Sequence, residues 1–459
     1  MNPNELLDRT FDCECGKSHS VPIRKLIYAE DALERLPDVL GSFVDGRRVA
    51  LVADRRTSPI AGRRARQILE EAGWSVHQII VPDTRRGGPV CDETTDDWLN
   101  SRLPPTDIAL AVGSGVINDL TKWSAFDHNL PYAVVATAAT MNGFTAANVA
   151  PSLKGVKSLI RAEAPLAVFA VPSIIVEAPF ELTSAGLGDV IAKPVSTTDW
   201  LLNHIFFGEY FCRYCSEIIN GAEPYYFDRP QDIRTRQPAA IGALFHALLY
   251  SGIAMTIIGS SAPASGGEHL LSHTLDMMSG VDGVAHDLHG RQVGLGTLFA
   301  SALYERILRI ETPTRVAGVP PAIDDAFWGP LSGAVRQQYE QKIPMLGTMR
   351  EKLTDGQTWG AFLAACRRPA GPSTSLGTPA CAGLRPRTWR SPDQIKSCLR
   401  TAGAAHRFVD IGCSRERFLA AVLHMHEIRK RPSVIDLAWI LGILPGAAEE
   451  VIDRWLTDV

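Results

Sequence analysis

Apolar runs alternate with helical patterns along the first third of the chain. RRVALVAD (Arg47–Asp54) is an apolar run that ends on a charged tip, and AGRRARQILEEAG after it places apolar residues at helical spacing. WSVHQIIVPD (Trp74–Asp83), DIALAVGSG (Asp107–Gly115) and PYAVVATAAT (Pro131–Thr140) are further strand-like runs. Apolar strands separated by helices predict a parallel sheet covered on both faces. Such sheets bind ligands at the carboxyl ends of their strands.

From about Leu182 the period lengthens. ELTSAGLGDVIAKPVSTTDWLLNH, PAAIGALFHALLYSGIAMTI, GLGTLFASALYERIL and RERFLAAVLHMHEIR all read as helices. The expected architecture is an α/β N-terminal domain with a parallel, Rossmann-like sheet over residues 1–175, followed by an all-helical C-terminal domain over residues 176–459. The stretch Arg367–Pro392 is rich in Pro, Gly, Ser and Arg and reads as an exposed loop or insertion. No internal repeat is evident.

Composition narrows the class. A chain of 459 residues with 46% apolar and 21% charged content suits a globular protein with at least two domains. A net charge of −4 speaks against nucleic acid as a partner. The start, MNPNELLDRTFDCECGK, lacks the apolar core of a secretory signal. Gln237–Gly267 is uncharged but interrupted by Gly242, His246, Gly252, Gly259 and Pro263, so a buried helix is expected rather than a membrane span. The expected location is the cytoplasm. Nine cysteines scattered over a long chain give no disulfide framework. Cys13-x-Cys15 with His19, and Cys212-x-x-Cys215, each offer half a zinc site without a second pair close by, so reduced thiols are expected.

Two stretches could hold a nucleotide. GSGVIND (Gly113–Asp119) turns from a strand into a helix, where backbone N–H groups and the helix N-terminus favour a pyrophosphate. ATAATMNGFTAAN (Ala136–Asn148) offers small side chains, suited equally to a flat cofactor or to packing against a helix.

Four of the twelve histidines fall within Gly266–Gly290. His269 and His273 stand four apart and share a helix face, a spacing that can present imidazoles to one metal ion. His289 follows in DLHG, and Asp189 in AGLGDVIAK offers an oxygen ligand. Singly, each residue reads as a core histidine or a helix cap; as a set they point to a metal. His286 reads as a loop residue outside it.

GSGVINDLTK, TAATMNGFTAAN, ELTSAGLGDVIAK, SGGEHLLSH and LHGRQVGLGT, in this order and spacing, resemble the glycerol-1-phosphate dehydrogenases. These belong to the superfamily of metal-dependent polyol dehydrogenases, iron-type alcohol dehydrogenases and dehydroquinate synthases. The resemblance runs from FDCECGKSH to VIDLAWILGIL. It implies a dehydroquinate synthase-like fold with the active site in the cleft between two domains. It implies one divalent metal ion (zinc, nickel or iron) on Asp189, His269 and His289. Catalysis falls to Asp189 and His273, and substrate binding to Asn142, Asp189 and His273. NAD or NADP is implied at Asp54, Gly113, Gly115, Val116, Ile117, Asn118, Asp119, Thr137, Ala138, Ala139, Thr140 and Ala146. The implied reaction is reduction of dihydroxyacetone phosphate to sn-glycerol 1-phosphate, in a homo-oligomer. Lys193, Lys154, Lys157 and Arg161 are the candidate cations for the substrate phosphate.

The chain departs from the family pattern at three points. Asn142 replaces the aspartate of MDGFTS, Ala146 replaces its serine, and the glycine turn reads GSGV rather than GGGS. The alternatives are another polyol or phosphorylated ketone as substrate, a dehydroquinate synthase-like cyclase, and a scaffold that binds nucleotide without turnover.

Overall fold

Strand β4 (Arg48–Asp54) buries every residue after Arg48, as a strand covered on both faces must. The neighbouring β6 (Ile108–Gly113) and β7 (Tyr132–Ala136) are buried throughout. By contrast β5 (Ser75–Val81) alternates exposed with more buried positions over most of its length, and it forms one edge of the sheet. These four strands match the runs read from the sequence.

Two short strands complete the sheet: β3 (Lys25–Tyr28) and β8 (Ala167–Ala170). The order is β3-β8-β7-β6-β4-β5 with every pairing parallel. From β4 the chain visits β5 on one side and returns to β6 on the other. The strand order therefore reverses between β4 and β6, and a ligand crevice is expected outside their carboxyl ends. One face of the sheet packs on Leu36, Leu40, Ala65, Leu69 and Trp74. A small antiparallel hairpin, β1 (Arg9–Asp12) and β2 (Ser18–Val21), precedes the sheet.

The computed structural model describes residues 3–84, 87–313, 316–318, 322–367 and 389–458. Most of the stretch expected as an exposed loop, Arg367–Pro392, lies outside the described residues.

By contacts the chain divides into two compact units. The first comprises Met1–Gly186 and Thr235–Ser260, the second Leu187–Arg234 and Ser261–Val459. The helix Pro238–Ile258, which the sequence reading assigned to the helical half, thus groups with the sheet. It is long and apolar enough to cross a membrane, but 78% of its most apolar window is buried in the protein. It is apolar all round because protein surrounds it.

The long helical stretch beginning at Glu181 is two helices, Phe180–Ile191 and Lys193–Phe207. Pro194 falls in the first turn of the second, where its missing N–H costs nothing. In the second unit, the helices Gly267–Asp282 and His289–Ile307 pack along one another.

Candidate metal centre and nucleotide site

The nucleotide half begins where β6 ends. Gly113 must be glycine, because a Cβ there would lie 2.7 Å from the Cβ of Ile117. Its absence lets the chain turn through Ser114 directly into the helix Gly115–Asp127. The first i to i−4 bond of that helix is Asn118 N–H to the Ser114 carbonyl, 2.9 Å. The N–H groups of Gly115, Val116 and Ile117 precede it and lack a helical acceptor, which makes the turn an anion site.

Thr137 N–H donates to the Gly113 carbonyl at 3.1 Å, joining this turn to the end of β7. The hydroxyls of Ser114 and Thr140 are hydrogen bonded. Thr137, Ala138, Ala139, Thr140 and Ala146 are all buried. Asn118 donates from its amide to Asp119 (3.0 Å) and to the Gly143 carbonyl (3.3 Å).

Lys122, a helical turn further on, is fully buried and donates to the carbonyls of Gly143 (2.7 Å) and Asn148 (3.0 Å). Burial pushes its pKa down, against the opposing pull of Asp119. It is a staple for the turn that carries Asn142. Asn142 itself donates from its amide to the Ser251 hydroxyl at 3.2 Å.

At the tip of β4, Asp54 accepts the N–H groups of Arg56 (2.8 Å) and Thr57 (2.7 Å) on one oxygen. It caps the turn there. Arg56 forms a two-pronged pair with Asp83 at 2.8 and 3.1 Å, and Arg55 reaches the same carboxylate at 2.6 Å. The Arg56 guanidinium, chiefly by hydrogen bonding, holds the Asp83 carboxyl below its usual range.

The metal half lies within the second unit. Asp189 is buried, and His269 Nε2 approaches its Oδ1 to 3.7 Å. Ring centroids are 5.3 Å apart for His269 and His289, 5.6 Å for His273 and His289, and 6.2 Å for His269 and His273. Burial alone would favour the neutral form of Asp189. The Lys193 ammonium outweighs it and holds the carboxyl well below its ordinary value.

Both candidate imidazole ligands have their ring orientation set from behind. Glu268 takes the Nδ1–H of His269 at 2.7 Å, which turns an unprotonated Nε2 toward Asp189. For His289 the assignment runs through a chain of bonds. Gln292 donates its amide to the Asp287 carbonyl at 3.0 Å, so its oxygen faces Ser272. The Ser272 hydroxyl donates to that oxygen at 2.8 Å. The Ser272 oxygen therefore accepts Nδ1–H from His289 at 2.8 Å. Nε2 of His289 then carries no proton, as a metal ligand requires.

Donors around a tetrahedral ion at zinc–nitrogen and zinc–oxygen lengths stand about 3.4 Å apart, close to the separation of Asp189 and His269. One carboxylate and two unprotonated imidazole nitrogens thus fit a divalent ion with open positions. His286 lies in the exposed connection between the two helices, outside this set.

Glu268, Ser272 and Gln292 were missed by sequence reasoning, since a Ser or Gln in a helix carries no signal of its own. Lys193, considered for the substrate phosphate, is instead buried, 2.8 Å from Asp189 and 3.0 Å from the Ala264 carbonyl. Glu268→Gln is expected to weaken divalent-metal affinity about 10–100-fold, as read by competition with a chelating dye; unchanged affinity would deny Glu268 its orienting role.

Comparison with known proteins decides the family. A glycerol-1-phosphate dehydrogenase [NAD(P)+] from Geobacillus stearothermophilus is 32% identical over 329 residues, 71% of this chain and 80% of that one. One of the same name from Pyrococcus horikoshii is 33% identical over 300 residues, 65% of this chain and 83% of its own length. The chain belongs to the glycerol-1-phosphate dehydrogenase family. Residues 27–179 of this family member match the model of the iron-containing alcohol dehydrogenases. Its fold is that of the NADH-dependent butanol dehydrogenase A of Thermotoga maritima, with a TM-score of 0.59 at 12% identity over 98% of this chain and 99% of that one. The glycerol dehydrogenase of Schizosaccharomyces pombe gives 0.58 at 15% identity, covering 94% and 91%. Membership in this dehydrogenase family does not favour the cyclase alternative.

Proposed function

We propose that the protein is a metal-dependent NAD(P)H oxidoreductase that reduces dihydroxyacetone phosphate reversibly to sn-glycerol 1-phosphate. The observation that carries this reading is the pair of imidazoles, each with its Nδ1 side held by a partner, together with the buried carboxylate of Asp189. Asp189, His269 and His289 would hold a divalent zinc, nickel or iron ion, which when bound would supply Lewis-acid polarisation of the substrate carbonyl, and a bound reduced nicotinamide would supply the hydride. Glu268, Ser272 and Gln292 keep the two imidazoles aimed. His273, one helical turn from His269, passes the proton that the product oxygen takes up. Gly113, Gly115, Val116, Ile117, Asn118 and Asp119 hold the pyrophosphate through the opened helix turn. Thr137, Ala138, Ala139, Thr140 and Ala146 form the small-residue wall. Of the cations considered for the substrate phosphate, Lys154, Lys157 and Arg161 lie outside the buried core. A cytoplasmic homo-oligomer is part of the same reading.

The test is product analysis. Dihydroxyacetone phosphate and NADH should yield NAD and sn-glycerol 1-phosphate in equal amounts. Formation of the 3-phosphate enantiomer, or no NADH consumption, would contradict the assignment.

Two features tune this reading. Asp83 already engages Arg55 and Arg56, the groups that could receive a 2′-phosphate, and Asp54 stands beside them, so NADH is the preferred donor. Asp83→Asn should raise the NADPH-to-NADH ratio of kcat/KM roughly tenfold, the scale of one charge-assisted bond; an unchanged ratio would place these arginines away from the ribose. Asn142, in place of aspartate, suits an anionic substrate. Asn142→Asp should change KM or kcat for dihydroxyacetone phosphate at least about fivefold, the scale of roughly 1 kcal/mol. Identical kinetics would remove Asn142 from the substrate's surroundings.

A further inference from the structure

The dehydrogenase chemistry leaves unused a group of donors in the N-terminal hairpin. Between β1 and β2 the chain reads Cys13-Glu14-Cys15-Gly16-Lys17. Cys13 N–H donates to the Lys17 carbonyl (3.0 Å) and Gly16 N–H to the Cys13 carbonyl (2.9 Å), with Gly16 at a φ of +83°. Only a left-handed residue closes the turn this way, and glycine takes that conformation without strain. His19 stands opposite Phe11 in the hairpin and is 3% exposed. Its ring is held edge-on to Phe11, with centroids 5.6 Å apart.

One donor atom each from Cys13, Cys15 and His19 lies within 4.8 Å of the other two. Cys15 Sγ is 3.3 Å from His19 Nε2. A sulfur and a nitrogen on one tetrahedral zinc ion stand about 3.6 Å apart. Both thiols are partly exposed, so an ion can reach them.

We propose that Cys13, Cys15 and His19 bind a structural zinc ion, through two thiolates and one imidazole. Binding releases the two thiol protons, takes the Nε2 lone pair of His19, and transfers no electrons. Zinc's tetrahedral preference leaves a fourth position for water or a further donor. A two-stranded hairpin of four-residue strands is marginal by itself. The ion ties its exposed turn to the buried face of β2, and β2 packs on the helix Pro238–Ile258. Ser251 of that helix accepts the amide of Asn142, so the hairpin braces the helix that holds a candidate substrate residue.

The donor set makes the site separable from the Asp189–His269–His289 centre, which contains no sulfur. Protein stripped of metal under reducing conditions is titrated with cobalt(II) and then with zinc. A thiolate-to-cobalt charge-transfer absorption is expected in the wild type, bleached by zinc, and absent from the Cys13→Ser/Cys15→Ser double variant, which binds one metal ion fewer. His19→Gln keeps both thiols and the hairpin's polarity, and should weaken zinc binding at least about tenfold. A wild type without the thiolate band, a band that persists in the double variant, or unchanged zinc affinity in His19→Gln would each overturn the proposal.

Discussion

Replacing His269 with alanine should reduce NADH-linked turnover on the order of a thousandfold or more. The loss follows from the chemistry assigned to the ion: polarising a carbonyl and stabilising the developing alkoxide is worth several kcal/mol, and each 1.4 kcal/mol is about tenfold in rate. A second effect accompanies it. Glu268 is fully buried and bonded to His269 Nδ1 and Gly266 N–H, so the alanine variant leaves a buried acceptor short of one partner. That costs about 1–3 kcal/mol of stability, visible as a lower Tm. Metal content, turnover and Tm measured together separate the two effects. A variant that folds, loses its metal and retains wild-type turnover would remove the metal from the reaction.

The second large effect is expected at Gly188, a residue with no chemistry of its own. A Cβ there would stand 2.0 Å from the Gly290 carbonyl oxygen and 3.3 Å from the Gly294 nitrogen. Gly188 precedes Asp189, and Gly290 follows His289, so the contact sets the spacing between two candidate metal ligands. Gly188→Ala must push the two helices apart. Displacement of a reacting group by about 1 Å can cost roughly a hundredfold in rate, and overpacking costs about 1–3 kcal/mol in stability. Gly280 is the matched control, since it lies in the helix Gly267–Asp282 with nothing within 4 Å of a Cβ. Gly280→Ala should leave turnover unchanged and raise stability by roughly 0.5–1 kcal/mol. Equal turnover in the two variants would show that the helix spacing at Gly188 is immaterial.

The central strands were legible because burial on both faces leaves a run such as VALVA with no other reading. β3 and β8 were not, because KLIY and AVFA are too short to separate from the apolar interior of a loop or helix. The allegiance of Pro238–Ile258 was hidden for a related reason. A helix apolar on every side shows no preferred face, so its pattern says that it is buried and not against what. Among the candidate residues, His269 and His273 stood out by spacing, Asp189 and His289 joined them as further donors, and the resemblance assigned Asp189, His269 and His289 to the ion. The orienting bonds did not, since they depend on Ser272 and Gln292 meeting His289 across two helices. One lysine misled for a physical reason. Lys193 reads as a phosphate ligand, yet a lysine without water needs an anion or carbonyls of its own, and the structure gives it Asp189 and the Ala264 carbonyl.

The measurement that bears most directly on the central claim is NADH oxidation with dihydroxyacetone phosphate by protein stripped of metal and reloaded separately with zinc, nickel and ferrous iron. The account predicts no turnover in the stripped protein and recovery with at least one of these ions, together with formation of sn-glycerol 1-phosphate. Full turnover without metal, or metal uptake at Asp189, His269 and His289 with no turnover under any ion, would contradict it.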